Sequence, residues 1–166
     1  MWKLKFCFSA IAIVFLFPAC TRHSGGDTPE QALQEYINTG FSAKSLDDKK
    51  KLLDLSTGEA FDSLEKITDQ DFVHQFVESK LRLVSLKTKD LRKEDNGNVS
   101  LIYEISFEDK ANNVGSMLTN KKIAFLTLDP KSSTWKIKST TNVKSLVERK
   151  EDLVVMPQAA QPPSQH

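Results

Sequence analysis

The spacing of apolar residues changes once along this chain, near Leu81, and that change restricts the fold more than any other feature. Before it, apolar side chains recur at three- and four-residue intervals, the period of a helix. After it they alternate every second residue, the period of a strand. Thr28-Pro29-Glu30-Gln31 supplies an N-cap threonine, a proline at the first helical position and a glutamine three residues after the cap, which together predict a helix start. Ala32, Leu33, Tyr36 and Ile37 then share one face, and Gly40 suits the position just past the end. Ser45 with Asp48 opens a second helix carrying Leu46, Leu52, Leu53 and Leu55, with Lys49 to Lys51 on its solvated side. Ser56 with Glu59 marks a third, with Phe61, Leu64 and Ile67 inward. Thr68 or Asp69 caps a fourth, in which Phe72, Val73, Phe76 and Val77 form the apolar face.

Leu81 to Arg92 reads as a charge-rich strand, followed by Asp95-Asn96-Gly97, a turn whose residues tolerate positive φ. Val99, Leu101, Tyr103, Ile105 and Phe107 are the buried face of the best-defined strand. A loop over Ala111 to Gly115 leads to a strand over Lys121 to Leu128, a turn at Asp129 to Ser133, and a last strand over Trp135 to Thr140. Helices first and antiparallel hairpins afterwards predict an α+β domain with the N-terminal helices packed on one face of the sheet. Residues 28–147, roughly 120 positions, suffice for one core. Residues 148–166 end in a stretch rich in Pro, Gln and Ala and are expected to be a mostly disordered tail.

The first 20 residues have the layout of an export signal: Lys3 and Lys5, an apolar run from Phe6 to Phe17, then Ala19 directly before Cys20. A run of about 12 residues reaches only about 18 Å as a helix, short of the roughly 30 Å hydrocarbon core. Leu16-Phe17-Pro18-Ala19-Cys20 resembles the lipobox of bacterial lipoproteins, in which cleavage frees the cysteine to carry lipid on its sulfur and amine. The resemblance implies that residues 1–19 are a signal peptide and that Cys20 is the lipid anchor. Ordinary signal cleavage is the competing reading, but it wants small residues at the first and third positions before the cut, and Phe17 is bulky. Cys7 falls within the removed segment, so the mature chain keeps one cysteine and no intramolecular disulfide. Residues 20–27 read as the lipidated cysteine and a small, polar, flexible tether. Thr21, rather than an aspartate, after the anchor cysteine implies sorting to the outer membrane of the cell envelope.

The order of elements, a long first helix, shorter helices and then an antiparallel sheet ending in Thr134-Trp135-Lys136-Ile137, resembles the nuclear transport factor-like superfamily, also described as cystatin-like. Membership implies a bent sheet and a cone-shaped interior over residues 28 to 143, with Leu101, Tyr103, Ile105, Phe107 and Trp135 as pocket-lining side chains. The superfamily includes ketosteroid isomerase-like and dehydratase-like enzymes, which place an acidic base or a histidine in the cone. Here Tyr103 is the one polar group on the inward strand face. His74, with Asp71 and Glu78 at helical spacing, is the one histidine near an apolar face.

Without Lys3 and Lys5 the 23 basic and 22 acidic residues become 21 and 22, which gives no electrostatic footprint for nucleic acid. His23 lies in the tether and His166 ends the tail, no histidine or cysteine pair has ligand spacing, and Gly25-Gly26 opens no phosphate-binding turn, so neither a metal nor another cofactor is expected. The reading that follows is a non-enzymatic, lipid-anchored envelope protein whose domain binds an apolar ligand or another envelope protein. The alternatives are an isomerase- or hydrolase-like enzyme using Tyr103 and His74, and a homodimeric oligomerisation unit joined through its sheet.

Overall fold

The computed structural model describes residues 26–110 and 117–148. Cys20, the loop expected over Ala111 to Gly115 and the segment after Glu148 lie outside them. Four helices precede a four-stranded antiparallel sheet, as the change of period predicts. Helix α1 spans Pro29–Phe41, α2 Leu46–Asp54, α3 Gly58–Lys66 and α4 Asp69–Phe72, the last running into a π-helical turn over Val73–Val77. The strands are β1 (Leu81–Lys93), β2 (Val99–Asp109), β3 (Met117–Asp129) and β4 (Thr134–Glu148), in the spatial order of the sequence. The sheet is open, so β1 and β4 are its edges. No helix among the described residues is long and apolar enough to cross a membrane.

Local chemistry sets the helix ends. Thr28 and Gln31 form the reciprocal capping box that opens α1, and Ser45 with Asp48 does the same for α2. Helix α1 runs through Gly40 to Phe41, two residues further than its glycine suggests, because Ser42 closes it: both the Ser42 amide and its hydroxyl donate to the Asn38 carbonyl, at 2.9 and 2.7 Å. The third helix starts at Gly58 with Thr57 as its cap, rather than at Ser56. Backbone pairing takes that segment: Ile137 donates to Leu55 (2.9 Å) and Thr57 donates to Ile137 (2.8 Å), a short parallel bridge that joins the α2–α3 corner to β4. Lys49 also departs from the expected solvated face. Its ammonium donates to the Ile67 carbonyl and to Asp69, both at 2.7 Å, with its side chain only 12% exposed. Gly26, within the expected tether, is buried, accepts from the Trp135 amide, and lies so close to the backbone of Gln31 and Ala32 that a Cβ would collide.

The sheet's edges carry its irregularities. Val84 and Lys89 are extra residues in β1, and Lys138 and Val143 are extra in β4. Each such bulge adds twist and reverses the side-chain alternation beyond it. In β1 the reversals matter for packing: Leu83, Leu86 and Leu91 pair with Phe107, Ile105 and Leu101, so all three share the inward face although their spacing is not even. Bulged and charged edges also resist pairing with another chain. The main core joins Ala32 and Leu33 of α1 to Val99, Leu101, Tyr103 and Ile105 of β2, Ala124 and Leu126 of β3 and Ile137 of β4. A second cluster sits among the helices around Ala43, Leu52, Leu64 and Phe72, and Tyr36 touches both.

Candidate apolar binding cleft

The strand face read as a pocket wall is interior packing. Leu101 and Tyr103 are each 1% exposed and Ile105 is 3% exposed, while Phe107 and Trp135 are half-buried against the same cluster. The helix α1 side chains fill the space that a cone would leave open. Burial raises the Tyr103 phenol pKa well above its ordinary value, and the neighbouring Tyr36 raises it further. Tyr36 is itself raised by burial. Such phenols stay neutral and act as large amphipathic core residues.

His74 and Tyr103 are not brought together. The His74 side chain is 82% exposed on the π-helical turn, with Nδ1 3.2 Å from Glu78 Oε2, whereas Tyr103 is inside the sheet core. Asp71 accepts from the Thr68 hydroxyl at 2.7 Å, within the cap of α4, and does not orient the imidazole. Among the described residues no group of three or more His, Cys, Asp or Glu side chains could hold a metal ion.

Among the described residues an apolar opening lies elsewhere, at the junction of α1, α2, the π turn and the start of β1. It is a cleft of about 180 Å³. Helix α1 contributes Tyr36, Ile37, Gly40 and Phe41, α2 contributes Leu52, the π turn Gln75 and Phe76, and Ser79 and Leu81 close it on the β1 side. Among the described residues no carboxylate, ammonium or guanidinium lines it. Three features keep it open and shaped. The π turn, closed by the Glu78 amide on the Val73 carbonyl at 2.9 Å, widens the helix and stacks Phe76 on Phe72 at 4.7 Å between ring centroids. Phe41 leans on Phe107, with centroids 5.7 Å apart, which holds it as a wall against the sheet end. Gly40 sits in the last turn of α1, and a Cβ there would meet only the Phe76 ring, at 4.0 Å. Its glycine therefore leaves space that an ordinary helix former would occupy.

Tyr36 and Ile37 were legible in the sequence as an inward helix face, and so was Leu52. The cleft itself was not, because it depends on the π turn and on Gly40 lying inside the helix. A glycine followed by Phe41 before the capping serine is the one sequence signal that points to it.

Beside the cleft, sharing Phe41, Ser79 and Leu81 with it, a wider depression of about 570 Å³ is lined also by Lys80, Arg82 and Lys110. Along β1, Arg82 pairs with Glu108 at 2.7 Å and Lys89 with Glu104 at 3.3 Å, while Arg92 turns to Asp90 at 3.0 Å on its own strand. No family model matches the chain, and no curated protein matches it.

Proposed function

We propose that this protein is a lipid-anchored module of the bacterial cell envelope that binds an apolar group in the cleft between α1, α2, the π turn and β1. The observation that carries the reading is the cleft's lining: aromatic and aliphatic side chains, with only the amide of Gln75, the hydroxyl of Ser79 and the Tyr36 phenol as polar groups. Ligand sites have this character, mostly apolar with a few polar groups that orient the guest. Its size matches the roughly 150 Å³ apolar cavity known to hold a benzene ring, so it takes one ring or a short stretch of alkyl chain.

The nuclear transport factor-like assignment belongs to the same proposal. It is supported by the order of elements and by bulges in both edge strands, an irregularity that bends and twists a strand locally. The anchor at Cys20 is supported by the lipobox-like segment before it. Binding is favoured over catalysis because no carboxylate or imidazole lines the cleft among the described residues, and the candidates His74 and Tyr103 occupy separate environments.

Saturation-transfer NMR with 1-octanol tests the binding reading. Transfer to the probe is expected with the wild-type chain and is expected to vanish in Gly40→Leu, whose side chain fills the slot. Equal transfer in a folded Gly40→Leu variant would overturn the site. For the anchor, Cys20→Ser should move the protein out of the membrane fraction, and an unchanged partition would remove lipidation from the account.

A further inference from the structure

The structure assigns a ligand class to this cleft: we infer that it takes a single-chain anionic amphiphile, with its alkyl end in the apolar slot and its head over the basic depression next to it. The inference rests on the binding reading above and adds the head group to it. The slot and the depression lie side by side and share Phe41, Ser79 and Leu81 as walls. A chain leaving the slot past Leu81 therefore emerges over the depression.

The depression's charged lining is of one sign. Among the described residues Lys80, Arg82 and Lys110 line it and no acid does. Arg82 is already committed, giving Nε and an Nη2 contact to Glu108 at 3.0 and 2.7 Å. Asp109 stands at the same end of β2 and, like Glu108, is engaged in interactions of its own. The two lysines carry the argument. The Lys110 amide donates to the Lys80 carbonyl at 3.0 Å, so the two residues leave neighbouring strand ends side by side. Both lysines line the depression, so an anion held there is attracted by both, while a cation is repelled by both.

The slot is too small for a whole lipid, and its polar groups are too few to hold a sugar or a nucleotide. A ligand apolar at one end and negatively charged at the other satisfies both parts at once. A fatty-acid carboxylate and a monoalkyl phosphate share that chemistry.

Isothermal titration of the full chain with decanol, decanoate, decyl phosphate and decyltrimethylammonium, at low salt, tests this. Decanoate or decyl phosphate should bind about tenfold more tightly than decanol, and decyltrimethylammonium more weakly than decanol. The preference should shrink as salt rises, because these lysines are exposed. In Lys80→Gln/Lys110→Gln the anions should fall to within about twofold of decanol. Lengthening the chain from six to ten carbons should strengthen binding by about fourfold per methylene (about 0.8 kcal/mol) until the slot is full. The stronger of the two anions identifies the source, a carboxylate pointing to a fatty acid and a phosphate to a phospholipid-derived head. Decanol binding as tightly as the anions would overturn the head-group inference and leave the apolar site standing. If none of the four binds, both readings fall together.

Discussion

Replacing Gly40 with alanine should make the domain more stable and its cleft worse. Gly40 lies in α1, which continues through Phe41, and its backbone is not in the left-handed region that favours glycine. In a helix interior glycine is less favourable than alanine by about 0.5–1 kcal/mol, and the last turn belongs at the lower end of that range. The added methyl meets the Phe76 ring at 4.0 Å, an ordinary van der Waals contact, so no clash offsets the gain. The net expectation is roughly 0.5 kcal/mol of added stability, or about 2 °C in Tm for a domain of this size. The same methyl occupies the slot, and losing room for one methylene should weaken octanol about fourfold. Thermal and urea melts with matched octanol titrations measure both. A Gly40→Ala variant that is destabilised, or one that is stabilised yet binds octanol unchanged, would refute the reasoning that this glycine keeps the cleft open.

Other consequences follow from named contacts. Gly58 has φ +53° and a Cβ there would lie 3.3 Å from Lys138 Cγ, so Gly58→Ala should destabilise by about 1–2 kcal/mol in urea melts. Lys49→Ala removes the donor that satisfies the part-buried Ile67 carbonyl and should lower stability by about 1–3 kcal/mol by the same measurement. Hydrogen bonds from Lys51, and from the amides of Lys44 and Ser45, hold the Asp48 carboxyl below its ordinary range. A depressed carboxylate stabilises the fold above its unfolded pKa, near 3.9, and that contribution fades as pH falls through the folded value. Asp48→Ala should therefore show a shallower acid limb in a stability–pH profile. Tyr103 titrates in the opposite sense: burial raises its pKa, so its contribution is complete below pH about 10 and lost above it. Tyr103→Phe should flatten the alkaline limb measured by denaturant melts at pH 9 to 11.

Much of the fold was legible because local signals agreed with the global one. The caps at Thr28 and Ser45, the turn at Asn96 and Gly97 and the alternation of β2 are each set by a few adjacent residues, and all are realised. Asn96 and Gly97 take φ of 64° and 74°, as a turn of that composition requires. Long-range effects were not legible. The bulges in β1 and β4 break simple alternation, which hid the shared face of Leu83, Leu86 and Leu91 and the full length of β4 to Glu148. Ser56 carries a helix-start signal, yet its segment pairs with Ile137 because backbone bonding to the sheet outweighs a surface cap. The expected pocket of Tyr103 and its strand neighbours was drawn from periodicity. Periodicity identifies an inward face but not whether a helix fills the space above it. Helix α1 does fill it, and the opening moved to the edge of that helix.

The most direct test of the central claim is methyl NMR of the full chain during titration with octanol, comparing cleft methyls with sheet-core methyls. Saturable shifts confined to Ile37, Leu52 and Leu81, with Leu101 and Ile105 unmoved, are the expected result. Shifts centred on Leu101 and Ile105, or no saturable shift at any of the five residues, would contradict the assignment of the cleft as the binding site.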